Sequence, residues 1–182
     1  MSRATIVDGW RIEITIREGV RREMSRAEIA RVIASALVAA GAPPETSLSV
    51  ILTDDEELAE LNETHLGHDG PTDVISFPLL PPSAFPEHPG GAPAPVRDHA
   101  FALPPGARLH LGDIAVSMER AAAQAADGRG GQTSDVSWST EHELRLLLTH
   151  GTLHLCGWDH AEPVEETAMR ALERDLLGFV RD

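Results

Sequence analysis

The chain has 182 residues, of which 42% are hydrophobic, a formal charge of -14 and a single cysteine. That length fits one domain with a sizeable core. The lone Cys156 excludes an intramolecular disulfide, and no apolar stretch is long enough to span a bilayer or serve as a signal peptide, so a cytoplasmic protein with no membrane partner is expected.

Residues 10–16 alternate apolar and polar side chains as a half-buried strand does, and Ser25 caps an apolar-periodic helix that runs to about Ala40 and is ended by Gly41, Pro43 and Pro44. Residues 48–52 read as a second strand, Asp54 or Asp55 as the cap of a short helix through Asn62, and residues 74–77 as a third strand. Residues 80–106, rich in proline, alanine and glycine and without periodicity, predict a long, exposed and flexible loop. A fourth strand follows over 110–117, a helix over 118–126 and a glycine-rich break over 127–132. Ser139 or Thr140 then caps a helix carrying Glu143, Leu146, Leu147, His150 and His154, and residues 165–177 form a closing helix stopped by Gly178. This order predicts an α+β fold, with residues 1–182 as one compact domain. About four strands form a mixed sheet with helices packed around it, and a metal site lies at a C-terminal helix.

The most informative segment runs from His150 through Gly151, His154, Gly157 and Asp159 to His160. Residues four apart on an α-helix lie one above the other, so His150 and His154 reach one ion from the same face. A continuing helix would carry the third histidine away, but Gly157 sits where a left-handed residue lets the chain reverse and return His160. Three imidazoles with an open fourth position have the make-up of a catalytic zinc site, in which a bound water is acidified to a pKa of about 7, and this favours hydrolysis. Nickel, cobalt or iron suits the same ligands.

Zinc peptidases place a glutamate directly after the first histidine as general base, and here that position is Gly151, which makes peptide hydrolysis the second reading. Asp159 is the adjacent candidate for a catalytic carboxylate, with ring orientation or capping of the next helix as its plainer role. Cys156 reads as a small buried side chain on the face opposite His154. Glu143 lies two turns before His150 on the same face, about 10 Å along the axis, which suits a salt bridge on the helix surface better than coordination. His88 and His99 read as solvated loop histidines.

The segment from His150 to His160 resembles the histidine signature of the YbeY family of bacterial metal-dependent endoribonucleases. Asn62 with Gly70-Pro71-Thr72-Asp73-Val74-Ile75-Ser76-Phe77-Pro78 resembles a second family block, and Leu111-Gly112-Asp113-Ile114 a third, in the same chain order. The resemblance implies a zinc-dependent, single-strand-specific nuclease acting in 16S rRNA 3′-end maturation and ribosome quality control. It also implies RNA and a ribosomal particle or ribosomal proteins as partners. By analogy Thr72, Asp73, Ser76 and Asp113 line the cleft at the metal. Where the family carries an arginine suited to phosphate, this chain has Leu66, flanked by His65 and His68. A third reading is a ribosome assembly factor whose metal only pins the C-terminal half. The net charge of -14 opposes a phosphate backbone, so the field in the cleft has to come from a cation and a few arginines, for which Arg97, Arg108 and Arg120 are candidates, each read as an ordinary surface charge. Free-RNA binding is then expected to be weak and strongly salt-dependent.

Overall fold

A computed structural model describes residues 2–88, 107–128 and 138–178. Strands β1 (Arg3–Val7) and β2 (Trp10–Ile16) form a hairpin through Asp8 and Gly9, both at positive φ (49° and 95°), the pairing a two-residue turn needs to match strand twist. Helix α1 (Arg26–Ala39) follows, with Ser25 and Glu28 satisfying each other's backbone N–H groups at its start. Next come β3 (Ser47–Thr53), α2 (Asp55–Leu66), β4 (Val74–Pro78), β5 (His110–Ser117), α3 (Met118–Ala126), α4 (Thr140–Leu155) and α5 (Pro163–Leu177).

The sheet order is β1-β2-β3-β5-β4, with β2, β3 and β5 parallel and the two outer pairs antiparallel. The fold is therefore the expected α+β arrangement with a mixed sheet, and it has five strands rather than four, because β1 was not anticipated. Helix α2 runs on past Asn62 to Leu66, where Gly67 at φ 68° accepts the left-handed stop. Helix α5 starts at Pro163, whose missing N–H costs nothing in the first turn, and ends at Gly178 as expected.

Successive strand residues point to opposite faces. On one face Ile12, Ile14, Val50 and Ile114 pack against Ile29, Ile33 and Leu37 of α1 and Leu144, Leu147 and Leu148 of α4. On the other, Ile75 and Ala115 meet Leu58 of α2. Helix α4 is surrounded by α1, α3, α5, β4 and β5. That explains why Glu143, expected in a surface salt bridge, is instead fully buried, where it accepts a hydrogen bond from Trp138 Nε1 at 2.6 Å. A buried carboxylate without a donor would be costly.

Two glycines set the distance between α4 and the sheet. Gly112 lies at φ 143° in an irregularity of the β3–β5 register, and a Cβ there would sit 2.2 Å from the Phe77 carbonyl oxygen and 2.8 Å from Leu155. At Gly151, inside α4, a Cβ would lie 2.9 Å from Ile114 Cγ2 and 3.0 Å from Ser76 Oγ, and the Ser76 hydroxyl donates to the Gly151 carbonyl at 3.1 Å. The helix carrying two of the three histidines thus rests directly on β4 and β5.

Candidate metal centre

Ser139 caps α4 by accepting from the His142 backbone N–H, and the helix then runs unbroken through His150 and His154. At its end Gly157 N–H donates to the His154 carbonyl and Trp158 N–H to the Leu153 carbonyl, both at 3.1 Å, with Gly157 at φ 83°. This pair of bonds closes a helix through a left-handed residue, and it returns the chain so that His160 faces the helical pair. The ligand atoms of His150, His154 and His160 lie within 4.8 Å of one another. Gly157 has a second constraint: a Cβ would stand 3.0 Å from Pro82 Cα.

The hydrogen bonds around the two helical rings decide what they offer. His150 Nδ1 lies 2.7 Å from a carboxylate oxygen of Glu173, and His154 Nδ1 lies 2.9 Å from the Trp158 carbonyl oxygen. Both oxygens only accept, so in the neutral rings each Nδ1 carries the proton and each Nε2 presents a lone pair. The two Nε2 atoms are 3.0 Å apart. Facing lone pairs do not bond each other, and a cation between them satisfies both. A tetrahedral zinc with bonds of about 2.0–2.1 Å holds its nitrogens about 3.3 Å apart, close to what is found. The cluster therefore fits one divalent cation.

Burial, then the neighbouring His150 and His160 rings, pushes the His154 pKa down from 6.5 to about 4. In metal-free protein the folded state keeps His154 neutral while the unfolded chain takes up a proton below about 6.5. This contribution to stability is therefore absent above pH 6.5 and turns unfavourable as the pH falls toward 4, reaching up to about 3 kcal/mol. Urea midpoints of metal-free wild type and His154→Ala, measured across this range, should converge and then cross as the solution is acidified.

A cleft of about 530 Å³ opens beside the triad, lined among others by Leu66, Thr72, Ser76, Trp158 and Asp159. Thr72, Asp73 and Ser76 are among its lining residues, and Asp73 is engaged on both oxygens, by Val74 N–H at 2.9 Å and Gln124 Nε2 at 2.9 Å. Asp113 is not among the residues lining this cleft and instead faces His110 Nε2 at 3.1 Å. Asp159 is exposed and accepts the His160 backbone N–H at 2.7 Å, which fixes the loop carrying the third histidine instead of capping α5, whose cap is Glu162. Cys156 is buried, and burial pushes its thiol up to about 12, so it is inert. Arg120 is bound to Asp55 at 3.1 Å and Arg108 donates to the Gly9 carbonyl, while Arg97 and His99 lie outside the described residues.

Sequence reasoning missed the supports of the site. Glu173 is 8% exposed on the inward face of α5, which it shares with Met169, and an acid at an apolar position was its only signal. Of the expected loop, residues 80–88 pack onto the metal loop and the core while 89–106 lie outside the described residues. Pro82 abuts Gly157, Phe85 is buried, and His88 stacks on Trp158 with ring centres 4.1 Å apart and its Nε2 3.2 Å from the Gly157 carbonyl oxygen. His88 is thus a packed residue rather than a solvated one.

A mixed sheet with helices packed on it and three convergent imidazoles at a helix end has the make-up of a metalloenzyme centre. A sequence profile described as Endoribonuclease YbeY matches residues 12–181. Curated relatives of that description agree. The protein from Roseiflexus castenholzii is 38% identical over 151 residues, covering 82% of this chain and 80% of that one. The one from Symbiobacterium thermophilum is 39% identical over 142 residues, covering 78% and 76%. A third, from Mycobacterium sp. strain KMS, is 36% identical over 168 residues, covering 91% and 81%. The chain belongs to the YbeY endoribonuclease family. The peptidase reading falls with Gly151, since the position that a peptidase gives to its glutamate is pressed against Ile114 and Ser76 of the sheet.

Proposed function

We propose that this chain is a zinc-dependent endoribonuclease that cuts single-stranded precursor 16S rRNA near its 3′ end, in maturation and quality control of the ribosome. The observation that carries this reading is the pair of Nε2 lone pairs 3.0 Å apart, each ring held from behind by an acceptor. His150, His154 and His160 hold the ion. When bound, zinc supplies Lewis-acid chemistry, acidifying a water and stabilising negative charge on the phosphodiester. Trp158 and Ser76 shape the cleft that receives the strand, Thr72 stands at its wall, and Asp159, which also lines it, is the carboxylate that takes up a proton. Asp73 serves to hold the cleft wall through the bonds described above, whereas Asp113, bonded to His110, stands outside the lining. The chain works as one domain, in the cytoplasm and against a ribosomal particle. Among the described residues no helix is long and apolar enough to cross a membrane.

Leu66 stands at the rim of the cleft, 51% exposed, while His65 packs edge-on against Phe77 at 5.0 Å. Leu66→Arg is expected to add one phosphate contact, raising kcat/KM on single-stranded RNA about tenfold and steepening the salt dependence by about 0.7 in the log–log slope. Cleavage and binding assays over a salt series check both. An unchanged slope would mean that the strand does not pass Leu66.

A further inference from the structure

Glu173 belongs to α5, a helix that contributes none of the three histidines, yet its carboxylate is directed at one of them. Its side chain is 11% exposed and its Oε1 lies 2.7 Å from His150 Nδ1. Desolvating a carboxylate is costly unless a donor meets it, and among the described residues the donor here is the His150 ring. Met169, one turn earlier and 1% exposed, packs in the core and fixes the face that α5 presents. His154 obtains the same service from a backbone carbonyl, which the chain cannot lose by mutation. His150 depends on a side chain brought from another helix.

The geometry points to Glu173 as a positioning residue for the metal centre, holding His150 in the tautomer and ring orientation that direct its Nε2 lone pair at the ion. This rests on the triad's holding a metal, as proposed above. The consequence is that α5 docking and metal affinity are coupled, because the carboxylate reaches the ring only when Met169 is seated. Without the carboxylate, His150 is free to carry its proton on Nε2, which removes a ligand atom without removing a histidine. Loss of a carboxylate behind a ligating histidine costs about 10- to 100-fold in metal affinity.

The test titrates metal-free wild type, Glu173→Ala and Glu173→Gln with Zn2+ against a chromophoric chelator, and records the imidazole nitrogen resonances of the metal-free proteins at mildly alkaline pH. Wild type should show His150 protonated on Nδ1. Glu173→Ala should shift His150 toward the Nε2-protonated form and bind zinc about 10- to 100-fold more weakly. Glu173→Gln, which keeps the volume and one acceptor oxygen, should lose less. A merely structural carboxylate would lower the melting temperature and leave the tautomer and affinity of the folded protein unchanged, and that result overturns the inference. Should Glu173→Ala fail to fold, the wild-type spectrum still decides, because an Nε2-protonated His150 contradicts it. Wild type that binds no zinc sinks the metal site itself, a failure distinct from equal affinity in all three proteins.

Discussion

Replacing His154 by alanine is expected to abolish metal-dependent RNA cleavage, by about 1,000-fold or more, while leaving a folded protein. Its ring supplies one of the two lone pairs that face each other at 3.0 Å, and without it only His150 and His160 remain of the three-histidine set. Several kcal/mol of transition-state stabilisation depend on a correctly held ion, and about 4 kcal/mol corresponds to that factor in rate. The structural cost is smaller. The variant loses the Nδ1–H bond to the Trp158 carbonyl, worth about 1 kcal/mol, and leaves the turn through Gly157 intact. Circular dichroism and single-turnover cleavage on the same preparation separate the two effects. Wholesale unfolding would instead identify the triad as a structural element.

Gly151→Glu is the second large effect, and here the fold suffers. On paper the change restores the glutamate that peptidases of similar spacing use as a base. In the structure the new Cβ would meet Ile114 Cγ2 at 2.9 Å, Ser76 Oγ at 3.0 Å and Val74 Cγ2 at 3.3 Å, with the carboxylate driven into the packed layer between α4 and the sheet. Overpacking and an unpaired buried charge together are expected to cost about 4 kcal/mol or more. That is a large share of the stability of a domain of this size. Urea denaturation should show the loss, and casein should remain uncut. A stable variant that hydrolyses peptide would show that this position faces substrate.

Much of this architecture was readable because local chemistry announces it. Ser25 with Glu28, Asp54 and Gly178 mark helix ends through side-chain acceptors or left-handed glycine, and the alternation of Trp10, Ile12, Ile14 and Ile16 marks a strand with one buried face. Strand β1 escaped for the opposite reason. Most of its residues are exposed, Ile6 at 67%, so it carries no apolar period, and only Asp8-Gly9 signalled its hairpin. Helix α2 continues four residues past its expected end at Asn62, to Leu66. In the structure Asn62 is buried, and its side-chain amide donates to the Gly70 carbonyl at 2.8 Å while the helix continues to Gly67.

The metal triad was legible because helical spacing plus one glycine determines its geometry. Its supports were not, since Glu173, Pro82 and His88 reach it from segments distant in sequence, and no local pattern records which helix face will meet which ring. Gly151 carried a signal that was read only as a missing base. Its positive meaning, close approach of α4 to Ile114 and Ser76, appears once the sheet is in place.

The most direct measurement is cleavage of a single-stranded segment from the 3′ end of precursor 16S rRNA by zinc-loaded protein, beside chelator-treated and His154→Ala samples. Cutting that requires the metal, disappears with chelator and is absent from a folded His154→Ala protein is the predicted result. No cutting by wild type that has demonstrably bound zinc would contradict the nuclease, and would favour a ribosome assembly factor whose metal only secures its C-terminal helices.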